Sequence, residues 1–329
     1  MKKPLMSVVK TVLTPWLLAA LPLAAVAQAW PDKPITVVVP FGAGGGVDAA
    51  ARIVLPKLAE RLGQQVVIEN VPGASGTIGT QRVVKAKADG HTLLFAVASP
   101  INVAPLVAPA SVRYDALKDL APIAPVAASP FVLIGKPGLA AANTAELLAL
   151  ARKQPGKLTY GTDGFGTSLH VTAAMIMATA GVDMLHVPYK SGPQVLTDVA
   201  GGQVDLAVLP VALVQGMVKE GKVKAYGVTA KARSDALPGV PSLSENPALA
   251  TMDVDSWLGL LGPAGLDPAI VARLSKDVAA VLADPAVLKA MADGGMKPLQ
   301  LSPADFGLYL AKERRALAAV VKANNIKAD

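Results

Sequence analysis

Short apolar runs rich in β-branched residues alternate along this chain with stretches whose apolar residues recur at helical spacing. The run at 35–39 reads as a buried strand, and Ile53, Leu55, Leu58 and Leu62 follow it on a helix. Further strands are predicted at 65–70 and 92–97, with a short helix at 78–87 between them. Strand–helix–strand–helix–strand is the order of a parallel sheet with helices on its faces. The same reading gives strands at 121–126, 131–134, 158–161, 186–189, 203–209 and 223–229. A last one at 253–261 carries Trp257 and returns to the first sheet. Helices are predicted at 143–153, 168–179, 192–201, 211–219, 268–283, 285–292 and 303–325. The spacing Asn143-Thr144-Ala145-Glu146 is that of a capping box, and a proline opens each of the last three helices.

Two junctions stand out. Phe41-Gly42-Ala43-Gly44-Gly45-Gly46-Val47 joins the first strand to its helix, with Asp48 as the expected N-cap. Thr162-Asp163-Gly164-Phe165-Gly166-Thr167-Ser168-Leu169-His170 repeats the plan in the second half. A glycine turn feeding a helix N-terminus presents free N–H groups along the helix dipole, which suits an anion. Two α/β halves, each with such a loop, predict a cleft between two lobes.

Composition narrows the chemistry. Among 329 residues there is no cysteine, which excludes disulfides, thiol nucleophiles and thiolate metal sites. Aromatic residues are only 4%, so the core must be aliphatic. The N-terminus carries Lys2, Lys3 and Lys10, an apolar stretch from Val12 to Val26, and small-x-small patterns at Ala25-Val26-Ala27 and Ala27-Gln28-Ala29. This is the pattern of a secretory signal peptide over residues 1–29, cleaved after Ala27 or Ala29, and it predicts a periplasmic, soluble mature protein. Without that segment the formal charge falls from +7 to +4 and is spread along the chain, so nucleic acid is not an expected partner.

Enzyme readings are weaker. Gly44-x-Gly46-x-x-Ala49 matches a dinucleotide fingerprint, with Glu69 ending the next strand, and makes a NAD-dependent oxidoreductase the alternative. Against it, Pro40 and Phe41 separate the strand from the glycines, whereas the fingerprint turns tightly. There is no G-x-S-x-G, and His91, His170 and His186 are dispersed, so neither a hydrolase triad nor a metal site is expected. The expected answer is no enzyme, no cofactor and no metal.

The same residues resemble one family. Trp30-Pro31-Asp32-Lys33-Pro34-Ile35, Pro40-Phe41-x-Ala43-Gly44-Gly45-x-x-Asp48-x-x-Ala51-Arg52 and Val67-Ile68-Glu69-Asn70-x-Pro72-Gly73-Ala74 are similar to the TctC or Bug family, the extracytoplasmic solute-binding proteins of tripartite tricarboxylate transporters. Asp89-Gly90-His91-Thr92, Gly164-x-Gly166-Thr167-Ser168-x-His170, His186-Val187-Pro188-Tyr189-Lys190 and Trp257-x-Gly259-Leu260-x-Gly262-Pro263 extend the match over the mature chain. The resemblance implies an α/β, two-lobed periplasmic binding protein of type II-like fold, each lobe a mostly parallel sheet flanked by helices. Lobe 1 would hold 30–128 and 254–329, and lobe 2 would hold 129–253. It implies a small carboxylate held by Phe41, Ala43, Gly44, Gly45 and Val47, by Ser99 and Asn102, and by Gly164, Gly166, Thr167, Ser168, Leu169 and His170. It also implies a monomer that serves membrane permease subunits or a sensor receptor.

The chain departs from the family where the pocket should be. Val47 stands where a hydroxyl is common, Asp163 and Leu169 replace mostly small residues, and Ser191 replaces a usual glycine. Val208-Leu209-Pro210 sits where many members carry an aspartate and a small polar residue. The expected ligand therefore has one carboxylate and an apolar or aromatic body, lined by Leu169 and Leu209.

Overall fold

Side chains branched at Cβ are stiff and favour extended chain, and Ile35–Val39 forms the buried strand β1. The computed structural model describes residues 30–323 and residue 326, so the expected signal peptide lies outside the described residues. Helix α1 (Gly46–Leu62) follows and buries Val54, Leu55, Leu58 and Leu62. Strands β2 (Val66–Asn70) and β3 (Thr92–Val97) lie on either side of β1, both parallel to it, with α2 (Thr77–Val84) as the crossover.

Short helices α3 (Ala104–Val107) and α4 (Ala116–Asp119) lead into β4 (Leu120–Gly135). This one strand of 16 residues replaces the two separate strands expected at 121–126 and 131–134. Pro122, Pro125 and Pro130 interrupt the β signal in the sequence. The pairing register shifts after Pro122 and again after Pro125, because proline has no N–H to give the ladder.

Beyond β4 come α5 (Thr144–Lys153), β5 (Thr159–Thr162), α6 (Ser168–Ala180), β6 (Leu185–Pro188), α7 (Gly192–Ala200), β7 (Leu206–Pro210), α8 (Val211–Lys219) and β8 (Lys224–Val228). The chain then returns through β9 (Asp255–Pro263), α9 (Pro268–Val281), α10 (Pro285–Asp293), the two-residue β10 (Lys297–Pro298) and α11 (Pro303–Ala323). Asn143 caps α5 as expected: its Oδ1 accepts from the Glu146 N–H at 3.0 Å, and the Glu146 carboxylate accepts from the Ala142 N–H at 2.7 Å.

The strands form one mixed sheet in the order β2-β1-β3-β9-β4-β7-β5-β6, with β8 and β10 also paired to β4. Its two parallel sets are β2-β1-β3 and β7-β5-β6. Strands β9 and β4 are antiparallel to their neighbours and connect the two sets. Strand β4 pairs with β9 through Pro130 and with β7 from Phe131 onward, so it belongs to both halves of the sheet. Each half has its own core. One gathers around β4 to β8, with Leu147, Val195 and Tyr226 fully enclosed. The other holds Trp257 edge-on to Phe306 at 5.4 Å. The described residues from Pro31 onward make one compact unit. None of their helices is long and apolar enough to cross a membrane.

Candidate functional site

A parallel strand that runs directly into a helix delivers that helix's N-terminus to the carboxyl edge of the sheet. Four such junctions meet at one cleft: β1 to α1, β5 to α6, β6 to α7 and β7 to α8. The cleft measures about 620 Å³ including its mouth. Its walls are Gly45, Gly46 and Val47 from α1, Ser168 and Leu169 from α6, Ser191 to Pro193 from α7, and Pro210 with Leu213 from α8. Phe41, Phe131, Val97 and Ser99 also line it. The two halves come close here, since a Cβ on Gly46 would sit 3.2 Å from Pro210 Cγ.

The first loop is tied down by its aspartate. Asp48 is not the N-cap that was expected. That position is Gly45, and Asp48 is in the first turn of α1, nearly fully buried. Its Oδ2 accepts from the Gly44 N–H at 2.9 Å and from Arg52 Nε at 2.8 Å, and its Oδ1 accepts from the Asn70 amide at 3.0 Å. Burial raises the pKa of Asp48, but the Arg52, Gly44 and Asn70 hydrogen bonds outweigh it, and the carboxyl lies below its usual value. Asn70 also donates to the Phe41 carbonyl at 3.0 Å, so one network fixes the loop that carries Phe41. Gly44 lies at φ +79°, where a side chain would be strained.

The second loop is held differently. Thr167 is the N-cap of α6, accepting from the His170 N–H at 3.2 Å and donating to the Gly164 carbonyl at 3.2 Å. The ring of His170 accepts from the Gly166 N–H at 3.1 Å and stacks on His186 at 4.2 Å. Tyr160 stacks on the far face of His186, and Phe165 packs edge-on against both histidines. Burial lowers the pKa of His170, and burial together with His170 pushes His186 down to about 4, so both rings are neutral at pH 7. Ser99 joins the two halves: its Oγ accepts from the Ser168 N–H at 2.8 Å and lies 3.0 Å from Ser168 Oγ.

Of the residues expected at the site, Phe41, Gly45, Val47, Ser99, Ser168 and Leu169 line the cleft together. Gly164 and Gly166 line a neighbouring, larger cleft that also touches Phe41. Ala43 and Gly44 lie on the exposed rim, and the Gly44 N–H is already used by Asp48. Thr167 and His170 are buried behind the lining, occupied with the loop itself. Leu209 is fully buried in β7; its Cδ2 would lie 3.6 Å from a Cβ on Gly192, so it stands behind the wall and not in it. Asn102 faces away from the cleft. Its amide donates to the Leu310 carbonyl at 2.9 Å and to Glu313 at 2.6 Å, and its Oδ1 accepts from Arg314 at 3.1 Å. The reason is local: residues Ser99–Val103 wind as a wide π-helical turn that carries Asn102 round toward α11.

The expected site omitted Asp163, Lys190, Gly192, Pro193, Pro210 and Leu213, all of which line the cleft. The signal was available in the proline and glycine at the strand-to-helix junctions near 188–193 and 210. Asp163 and Lys190 are the charged residues among the lining. Behind the site, a second cleft shares Phe131, Ser168 and Ser256 with it but carries Asp253, Asp255 and Glu313. Glu313 accepts from Trp257 Nε1 at 2.8 Å, and burial raises its pKa. The first cleft thus sets one acid, Asp163, among helix N-termini, whereas the second gathers three acids. Among the described residues no cluster of three or more His, Asp or Glu side chains is placed to hold a metal ion.

The tripartite tricarboxylate transporter family receptor, TctC, matches residues 50–326. The chain belongs to the TctC/Bug family. Among its relatives is a protein encoded between tcbD and tcbE in Pseudomonas sp. strain P51, 37% identical over 82% of this chain and 80% of that one. Rpa4515 of R. palustris, solved with adipate, superposes with a TM-score of 0.87 at 30% identity, covering 91% of this chain and 99% of that chain. MatC of Rhodopseudomonas palustris, solved with bound malate, gives 0.84 at 30% identity, covering 89% and 100%. Members of this family are periplasmic solute-binding proteins and not enzymes, so the dinucleotide reading of Gly44-x-Gly46-x-x-Ala49 is set aside. The geometry offers a reason. Glu69, which would have to read a ribose, is engaged by Arg82 at 2.7 Å.

Proposed function

We infer that this protein captures one small carboxylate in the cleft where α1, α6, α7 and α8 begin, and hands it to the membrane subunits of a tripartite tricarboxylate transporter. The observation that carries the reading is the convergence of four helix N-termini on one cleft. Each such terminus is equivalent to about half a positive charge, and together they can hold a carboxylate without an arginine. The malate and adipate of the neighbouring structures support the ligand class.

The ligand's body is apolar or aromatic in this reading. Phe41, Val47, Phe131, Leu169, Pro210 and Leu213 supply the surface, with Leu213 taking the place once given to Leu209. Residues 30–128 with 254–329 form one lobe and 129–253 the other, closing about β4 and the segment entering β9. The mature chain starts after Ala27 or Ala29, reaches the periplasm and acts as a monomer.

Thermal shift against a panel of benzoate, adipate, malate, citrate and NAD tests the reading. A ligand at about a hundred times its Kd adds ~2.7 kcal/mol, a rise of roughly 5–10 °C in a chain of this size. A monocarboxylate with an apolar body should give that rise. A response to NAD alone would sink the binding-protein role, and tight binding of citrate alone would sink the apolar body.

A further inference from the structure

Asp163 is out of keeping with the site around it. It lines a cleft built for an anion, between the carboxyl end of β5 and the start of α6. Its Oδ1 is buried and has no hydrogen-bond partner among the described residues. Burial raises its pKa to about 6, and the Thr167 hydroxyl and its own N–H offset that only in part. Lys190 is the other charged side chain of the lining. Asp48, the aspartate that ties down the first loop, has three donors. A buried acceptor left open is costly unless something supplies a donor, and most buried polar atoms have one.

We propose that Asp163 is the specificity-determining residue of the cleft, accepting a hydrogen bond from a hydroxyl on the body of a monocarboxylate and rejecting ligands that carry a second carboxylate in its place. The proposal rests on the reading of the cleft as a carboxylate site and sharpens it. The helix N-termini fix one charged end. The apolar walls take the body without reading it. Asp163 then supplies what those walls lack, an acceptor that satisfies a donor and repels a like charge. This assigns a ligand of the hydroxy-monocarboxylate class, distinct from the dicarboxylates of the neighbouring structures.

Calorimetric titration of the purified protein with ligands differing at one ring position provides the test. Benzoate, 3- and 4-hydroxybenzoate, isophthalate and terephthalate share a ring and a carboxylate, and malate and adipate are titrated beside them. At pH 8 the wild type should bind one hydroxybenzoate at least tenfold more tightly than benzoate and the dicarboxylates more weakly than benzoate. Asp163→Asn removes the charge at constant size and should raise dicarboxylate binding at least tenfold. Asp163→Ala should erase the preference for the hydroxyl, and Asp163→Ser covers the case in which asparagine disturbs the loop. Unchanged ratios in these variants, or dicarboxylates bound by the wild type as tightly as the hydroxy acids, overturn the role of Asp163 and leave the carboxylate site standing. Failure of every carboxylate to bind overturns both.

Discussion

Two loops of this molecule share one plan: a parallel strand, a glycine-rich turn, and a helix whose first residues face the cleft. Each contains an aspartate. In the first loop Asp48 is enclosed by the Gly44 N–H, Arg52 and Asn70, and its carboxyl lies below the usual value. In the second, Asp163 has a buried oxygen with no partner among the described residues, and its pKa is pushed up to about 6. The chemistry of the residue is the same and its surroundings are opposite. Asp48 is consumed in building the loop, so it is part of the scaffold. Asp163 has only the Thr167 hydroxyl and its own N–H, and the fold tolerates its cost where a ligand can offset it.

The largest test of this contrast is Asp48→Ala. It removes the buried carboxylate that ties three donors together and should cost about 2–3 kcal/mol, read as a lowered urea midpoint at unchanged slope. A loss below 1 kcal/mol would break the contrast, because Asp48 would then not be a scaffold residue. Thr167→Ala comes next. It removes the cap that the first loop lacks, since Gly45 caps α1 without a side chain, and should cost ~1 kcal/mol by the same measurement.

The pH-dependent test has the most telling sign. The folded pKa of Asp163 is raised, so its favourable contribution is present below its unfolded value near 3.8 and is lost as pH rises through about 6. Asp163→Asn should therefore raise the Tm of the unliganded protein at pH 8, with the gain shrinking as pH falls from 6 toward 4. His186 works the other way. Its folded pKa is depressed to about 4, so its contribution is present above about 6.5 and is lost as pH falls toward 4. Comparing wild type and D163N across pH 4–8 by calorimetry separates the two. A Tm gain that grows toward low pH would show that Asp163 is not the strained partner.

Much of this was legible in the sequence. The β-branched run at 35–39, the apolar spacing of α1 and the glycines between them announced the first junction, and the second repeated the plan. What escaped depends on contacts between distant segments. Asp48 reads as a cap because it follows the glycines, yet α1 starts two residues earlier, at Gly46, where propensity is poorest. Asn102 reads as part of a loop, and only the π-helical turn at Ser99–Val103 carries it to α11. Asp163 is visible as a charge out of place. The Asp48–Arg52 pair could be read from its i,i+4 spacing, but the contact with Asn70, 22 residues along the chain, is in no local pattern.

Strand β9 lies between β3 and β4 in the sheet, yet it follows them in the chain by more than a hundred residues. Until residue 263 has been made, β3 has an open edge beyond β1, and the first half of β4 has none of its β9 partners. The growing polypeptide therefore cannot complete its central sheet early. Long-range strand pairing of this kind is slow, and open strand edges invite mispairing. During synthesis, the order of elements along the chain keeps the first three strands from closing into a finished domain on their own. Folding becomes a late event, set by the arrival of a strand near the C-terminus.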